Sequence, residues 1–115
     1  MNRRQTGAEK EQMAAEYLRD HGYKILHRNF YSRFGEIDLI ARDGNTLVFC
    51  EVKYRKNTNM GWPEEAVSPI KLQRMQQTAQ FYCIRYRVPD QMPKRFDVIS
   101  ILGDQIRLFQ NVTGY

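Results

Sequence analysis

Hydrophobic and polar positions recur with two different periods along this chain, and the changes of period divide it into elements. From Gly7 to His21, Ala14, Tyr17, Leu18 and His21 recur at helical steps, and Gly22 follows as a terminating glycine, so a first helix is expected there. Residues 1–5, Met-Asn-Arg-Arg-Gln, read as a frayed polar end. Strand signals then take over. Tyr23 to Tyr31, with Ile25, Leu26 and Phe30, reads as a strand, and Gly35 to Arg42 and Thr46 to Arg55 read as a hairpin around Asp43-Gly44-Asn45.

Residues 56–67 form a long polar loop, of a length that is uncommon in small domains and often functional. Ser68-Pro69 then opens a second helix, with serine as N-cap and proline in the first turn. Leu72, Met75, Ala79, Tyr82 and Tyr86 give it an apolar stripe, and Pro89 closes the segment. Arg95 to Leu102 and Gln105 to Val112 are the last two strands, joined by a tight turn at Gly103-Asp104. The order α-β-β-β-α-β-β predicts an α/β domain with a central mixed β-sheet and flanking helices. No repeat or low-complexity tract interrupts it, and 115 residues suit one compact domain, 1–115.

Strand parity concentrates the candidate chemistry in the hairpin. Glu36, Asp38 and Ile40 are expected on one face of their strand and Ile37, Leu39 and Ala41 on the other. Leu47, Phe49, Glu51, Lys53 and Arg55 share a face of the next strand, opposite Val48, Cys50, Val52 and Tyr54. A turn at Asp43-Gly44 pairs Glu51 with Glu36 and sets Asp38 on the diagonal. A turn at Gly44-Asn45 sets Asp38 directly opposite Glu51. Both registers put the two carboxylates on one face, and a three-residue loop would part them.

Opposed side chains have Cβ atoms about 5 Å apart, where like charges repel. A divalent cation reverses that sign. Mg²⁺ is commonly held by one or two carboxylates, its other positions being filled by water and phosphate oxygens. Lys53, two residues beyond Glu51, is placed to orient a metal-bound water and to stabilise charge at a phosphate. The competing reading is an internal ion-pair set in which Lys53 and an arginine neutralise the carboxylates. The combination of Asp, turn and Glu-x-Lys within apolar strands favours the metal site.

Composition narrows the function classes. A formal charge of +5 and a pI near 9.4 favour polyanionic partners, nucleic acid first. Cys50 and Cys83 lack metal-ligand spacing, as do His21 and His27, which argues against zinc and against a disulfide framework. No apolar run approaches the roughly 20 residues of a membrane span, and no apolar signal core follows the basic N-terminus, so a cytoplasmic protein is expected.

Gly35-Glu36-Ile37-Asp38 followed by Glu51-Val52-Lys53 resembles the PD-(D/E)xK nuclease core. The wider pattern adds Gly7-Ala8-Glu9, Ala14-Ala15-Glu16-Tyr17-Leu18, Gly22-Tyr23, Arg28-Asn29, Lys71, Arg74 and Arg95-Phe96-Asp97. It resembles the YraN-like family of small bacterial proteins over nearly the whole chain. That family is grouped with the restriction-endonuclease-like fold, and archaeal Holliday-junction resolvases are similar in size and motif order. The resemblance implies Asp38 and Glu51 as ligands of Mg²⁺ or Mn²⁺, Lys53 as catalytic lysine and Glu9 as the first-helix acid that assists them. Ile37 departs from the motif's proline.

Other residues carry two readings. Thr6-Gly7-Ala8-Glu9 is also a capping box, which would make Glu9 a cap and not a site residue. Glu36 is expected to support the metal site, and Asp97 to pair with Arg95 or another arginine. Arg55, Lys56, Lys71 and Arg74 are expected to contact phosphates, Lys71 with help from the second helix's N-terminus. Trp62 either stacks on an unpaired base or folds back onto the core, and Tyr82 and Tyr86 are core or a homodimer seam. The chain is thus expected to be a metal-dependent nuclease acting on DNA, branched or junction DNA included. The alternatives are a nucleic-acid-binding accessory protein without turnover and a scaffold subunit whose hairpin charges are purely structural.

Overall fold

The computed structural model describes residues 3–113. Helix α1 spans Arg3–Asp20, and strands β1, β2 and β3 span Lys24–Ser32, Gly35–Asp43 and Thr46–Arg55. A 3-10 turn at Pro63–Ala66 precedes helix α2, Pro69–Arg85, and strands β4 and β5 cover Lys94–Leu102 and Gln105–Phe109. The element order is the expected one. The five strands form one sheet in the order β1-β2-β3-β4-β5. β3 and β4 run parallel, with α2 in the crossover between them, and the other neighbours are antiparallel. Among the described residues no helix is long and apolar enough to cross a membrane.

Local chemistry explains most of the boundaries. The Ser68 hydroxyl accepts the Lys71 backbone N–H at 3.1 Å, and Pro69 occupies the first turn of α2. Gly44 takes φ +60, which suits the first central position of the Gly44-Asn45 turn that joins β2 to β3. Three expectations are corrected. α1 begins at Arg3 and not at Gly7, so residues 3–5 are helical and not frayed; residues 1–2 lie outside the described part. Thr6 is therefore inside the helix and cannot act as its N-cap. β5 stops at Phe109 and not at Val112, because Asn111 turns the chain with φ +56 and Val112 donates its N–H to the Phe96 carbonyl at 2.8 Å.

The sheet has a core layer on each face. On one, Ala14, Ala15 and Leu18 of α1 pack on Leu39, Ala41, Val48, Cys50, Ile99 and Ile101. On the other, Met75, Ala79 and Tyr82 of α2 pack on Phe30, Ile37, Ile40, Leu47, Phe49 and Phe96. β3 alternates between these layers as a strand should. β2 does not: Ile37 joins Ile40 in the α2 layer, whereas strict alternation would place it with Leu39 and Ala41. The break falls at Asp38, and Asn29, which faces Asp38 in the register fixed by Arg28↔Leu39 and Phe30↔Ile37, takes φ +51. The expected sharing of a face by Glu36, Asp38 and Ile40 therefore fails as a parity rule.

The register that matters for the site runs from Asp43↔Thr46 to Leu39↔Cys50. It stops one step before Asp38 and Glu51. Beyond that point β2 stays with β1 as far as Gly35, while β3 stays with β4 as far as Arg55. The two strands fork, and both carboxylates stand at the fork.

Candidate active site

A fork in a sheet leaves backbone donors without ladder partners, and here a side chain takes one of them. Asp38 Oδ2 accepts the Val52 N–H at 2.8 Å. Asp38 is only 8% exposed, and burial, reinforced by the charge of Glu51, pushes its carboxyl up to about 8. Glu51, 3% exposed, turns Oε1 toward two ammonium groups, Lys71 Nζ at 2.6 Å and Lys53 Nζ at 3.8 Å. Burial and then the neighbouring Lys71 hold Lys53 below the usual lysine range. Burial opposes the charge on Lys71 too, but contact with Glu51 keeps it above that range.

α1 contributes an acid, although not the expected one. Glu9 is exposed on the outer side of the helix. Glu11 is half-buried; its carboxyl is raised by burial and also feels Glu36 and Glu51. With its amide turned for donation, Asn29 Nδ2 bridges Glu11 Oε1 at 2.8 Å and Glu36 Oε2 at 3.3 Å. This bridge gives the left-handed conformation of Asn29 a local reason, since asparagine tolerates that region and here gains two charged acceptors. Glu36 acts on Asp38 through its charge and is tied through Asn29 to Glu11.

The first turn of α2 closes the other side. Glu36, Glu51, Ser68, Lys71 and Arg74 line a concavity of about 350 Å³. Lys71 and Arg74 therefore reach the carboxylates' surroundings. Arg55 and Lys56 do not: they lie at the end of β3 and just beyond it, and neither pairs with an acid of the fork. A larger groove, about 880 Å³, runs beside the C-terminal half of α2, but Asp90 is the single acid in its lining and the carboxylate pair is remote from it.

The chemistry of the donor set can be tested against a divalent ion. Four carboxylates, from Glu11, Glu36, Asp38 and Glu51, influence one another, and the ammonium groups at Glu51 are two. The acids repel one another, which adds to the burial that raises the Asp38 and Glu11 carboxyls. Among the described residues no three acidic, histidine or cysteine side chains stand close enough to hold one ion, so the protein's ligand set would be the pair Asp38 and Glu51. Two carboxylates completed by water and phosphate are within the ordinary practice of Mg²⁺, and the pair fits it. In this arrangement the Lys71 ammonium holds the position next to Glu51 that a metal would contest.

Two members of the site escaped the sequence reading. Glu11 lies three residues before Ala14 and seven before Leu18, so the apolar stripe extended backward points straight at it. Asn29 carried no comparable signal, because its importance depends on a backbone conformation.

The fold and site define an α/β chain whose central hairpin opens onto a carboxylate-rich fork flanked by two lysines. Residues 10–101 match the uncharacterised protein family UPF0102, and the chain belongs to that family. This agrees with the YraN-like resemblance of the motifs. A UPF0102 protein of Lachnoclostridium phytofermentans is 48% identical over 111 residues, covering 96% of this chain and 94% of the relative. One from Persephonella marina is 46% identical over 105 residues (91% and 90%), and one from Syntrophus aciditrophicus 49% identical over 96 (84% and 75%).

Proposed function

We propose that this chain is a metal-dependent nuclease that hydrolyses DNA phosphodiester bonds, with branched or junction DNA among its substrates, in the cytoplasm. The observation that carries the proposal is the convergence of Asp38, Glu51 and Lys53 at the fork, beside the basic first turn of α2. The PD-(D/E)xK resemblance supports the same reading.

Asp38 and Glu51 would hold Mg²⁺ or Mn²⁺, which when bound supplies Lewis acidity at the phosphate and a more acidic water. Asp38 keeps its orientation through the Val52 N–H, so the ligand geometry is set by the backbone of β3 itself. Lys53 extends from the same face of β3 as Glu51. Its partly buried ammonium sits where it can orient a water and share the charge that develops on a phosphate oxygen. Lys71 would leave Glu51 as the ion arrives and turn to the phosphate. Its place in the first turn of α2 adds the backbone's preference for anions. Arg74 extends that cationic wall; Arg55 and Lys56 are assigned to nucleic acid further from the reacting phosphate.

Binding without turnover is the second reading. It is favoured by the 2.6 Å contact between Lys71 and Glu51, which already neutralises one of the two ligands. A homodimer would use the outward-facing Phe81 and Ile84 of α2, because Tyr82 belongs to the core; sedimentation measures it.

A panel of labelled branched, flapped, single-stranded and duplex DNAs with Mg²⁺ or Mn²⁺ tests the proposal. Cleavage by the native chain, abolished in Asp38→Ala and Lys53→Ala, is expected. Salt-sensitive binding with no cleavage in either metal would establish the second reading instead.

A further inference from the structure

The α2-side face of the sheet continues past Lys53 onto β4 and β5. Lys53 pairs with Ser100, and Ser100 pairs with Arg107. Paired residues share a face, and strands are about 4.8 Å apart, so the Arg107 backbone lies about 10 Å across the sheet from that of Lys53. One carboxylate ties the far end of this row together. Glu64, on the 3-10 turn, accepts the Ser100 hydroxyl at 2.7 Å and also pairs with the Arg107 guanidinium.

Arg107 is fixed by more than that ion pair. Its guanidinium lies over the Trp62 ring, 4.4 Å from the centroid, and 5.2 Å from that of Phe109. Because Glu64 already neutralises it, Arg107 is poorly suited to gripping a phosphate and well suited to acting as a flat plate. Trp62 is held as firmly. Gly61 before it takes φ +93, a conformation that side chains other than glycine's rarely adopt, so a larger residue there would strain the loop. Pro63 after it restricts Trp62 to extended backbone, observed at φ −77 and ψ 150. Yet Trp62 remains 40% exposed. A large aromatic ring thus stands on a backbone restricted on both sides, with a guanidinium over one face, and much of its surface still faces solvent.

We propose that Trp62, backed by Arg107, is a stacking site for an unpaired nucleobase flanking the phosphate bound at Lys53. This deepens the nuclease reading and rests on it for the location of the phosphate. It assigns the substrate class: a strand that is single or carries an unpaired segment next to the scissile bond. A continuous duplex keeps its bases stacked on one another and cannot offer one to the ring.

The test uses the full chain in a chelator, so that no cleavage is needed. Trp62 is the single tryptophan, and its emission reports the site directly. Saturable quenching on titration with an oligothymidylate is expected, with binding to a blunt duplex of equal length about tenfold weaker or more. Trp62→Ala should weaken single-strand binding by about tenfold, read by anisotropy of a labelled strand, and Trp62→Phe should recover most of it. Circular dichroism and melting separate a binding defect from misfolding, and quenching of the native chain needs no variant at all. Single-strand binding with silent Trp62 emission, or equal affinity in a folded Trp62→Ala, would overturn the stacking site. Quenching without cleavage in any metal would keep it and overturn the nuclease. Cleavage of single strands with silent Trp62 would do the reverse, and no nucleic-acid binding whatever would overturn both.

Discussion

Two buried aspartates stand in neighbouring parts of the same sheet, and their surroundings differ in kind. Asp97 on β4 is fully buried and well supplied with donors. Its Oδ1 accepts Arg95 Nε at 2.9 Å and the Asn111 N–H at 3.0 Å, and its Oδ2 accepts Arg95 Nη2 at 3.0 Å and the Tyr23 hydroxyl at 3.2 Å. Arg95 reaches on to Asp43 at 3.1 Å, and Gln110 donates to the Tyr23 oxygen at 2.8 Å. The network therefore clamps the end of the β2–β3 hairpin and the segment after β5 to Tyr23, the residue that precedes β1. Asp38, also buried, has one backbone donor at 2.8 Å and the carboxylates of Glu51, Glu36 and Glu11 for company. Burial of a charge is common to both sites. What distinguishes the fork is that Asp38 itself has no cationic hydrogen-bond partner, and the two lysines beside it contact Glu51 instead.

The sharpest way to break this contrast is to remove each carboxylate in turn. Asp97→Ala should cost about 3–5 kcal/mol, because it strands the Arg95 guanidinium and frees three segments at once. Urea denaturation measures it, and a loss under about 1 kcal/mol would mean that the network does not hold the fold.

Asp38→Asn should act in the opposite direction. The amide oxygen can still accept the Val52 N–H, and the repulsion with Glu51 is gone. The metal-free chain should gain about 1–3 kcal/mol at pH 8 while cleavage is lost. pH dependence follows from the same cause. The folded-state carboxyl titrates near 8 against an ordinary 3.8, so the folded chain binds an extra proton between those values. Stability in a chelator is therefore full below this window and falls as pH rises through it, by at most about 1.4 kcal/mol per pH unit. Asp38→Asn or saturating Mn²⁺ should flatten that slope. An unchanged slope in the variant would show that the fork is not where the uncompensated charge resides.

Lys71→Met probes the fork from the cation side. Glu51 is 3% exposed and would lose its 2.6 Å partner, so the metal-free chain should lose about 1–2 kcal/mol, reduced by the partial exposure of the lysine. Mn²⁺ should bind more tightly to the variant, because no ammonium contests Glu51. Calorimetric titration reads this without reference to cleavage, and weaker Mn²⁺ binding would remove Lys71 as a competitor of the ion.

The contrast between the two aspartates was partly legible in the sequence. Arg95-Phe96-Asp97 has the two-residue spacing that puts a cation and an anion on one strand face, and the pairing followed from it. Gly44 marked the place of the turn, but it belongs to both candidate turns, so the choice of the Gly44-Asn45 register came from the folded hairpin and not from the residues. Parity failed at Ile37 because alternation assumes an unbroken pleat, and Asn29 breaks it on the facing strand. That information is conformational: it arises once Asn29 has Glu11 and Glu36 to bridge, and those residues meet only after α1 and β2 have packed. The start of α1 is not marked in the residues: the basic, polar stretch before Gly7 reads equally as a frayed end, and the capping-box spacing of Thr6 and Glu9 falls inside the helix.

The smallest of the expected effects separates Glu11 from Glu9. Two residues along a helix are about 200° around its axis, so the two glutamates cannot serve the same site. Glu11→Gln should relieve part of the repulsion around Asp38 while keeping an acceptor for Asn29. A stabilisation of about 0.3–0.5 kcal/mol in a chelator is expected, small because the group is partly exposed. Apparent Mn²⁺ affinity should fall modestly, since one of the charges that attract the ion has gone. Glu9→Gln, on the solvent side, should change neither quantity. Chemical denaturation and metal titration of the two variants side by side decide the matter. A response from Glu9 alone would restore the acid implied by the motif resemblance, and would mean that α1 meets the fork through a different face when a metal is bound.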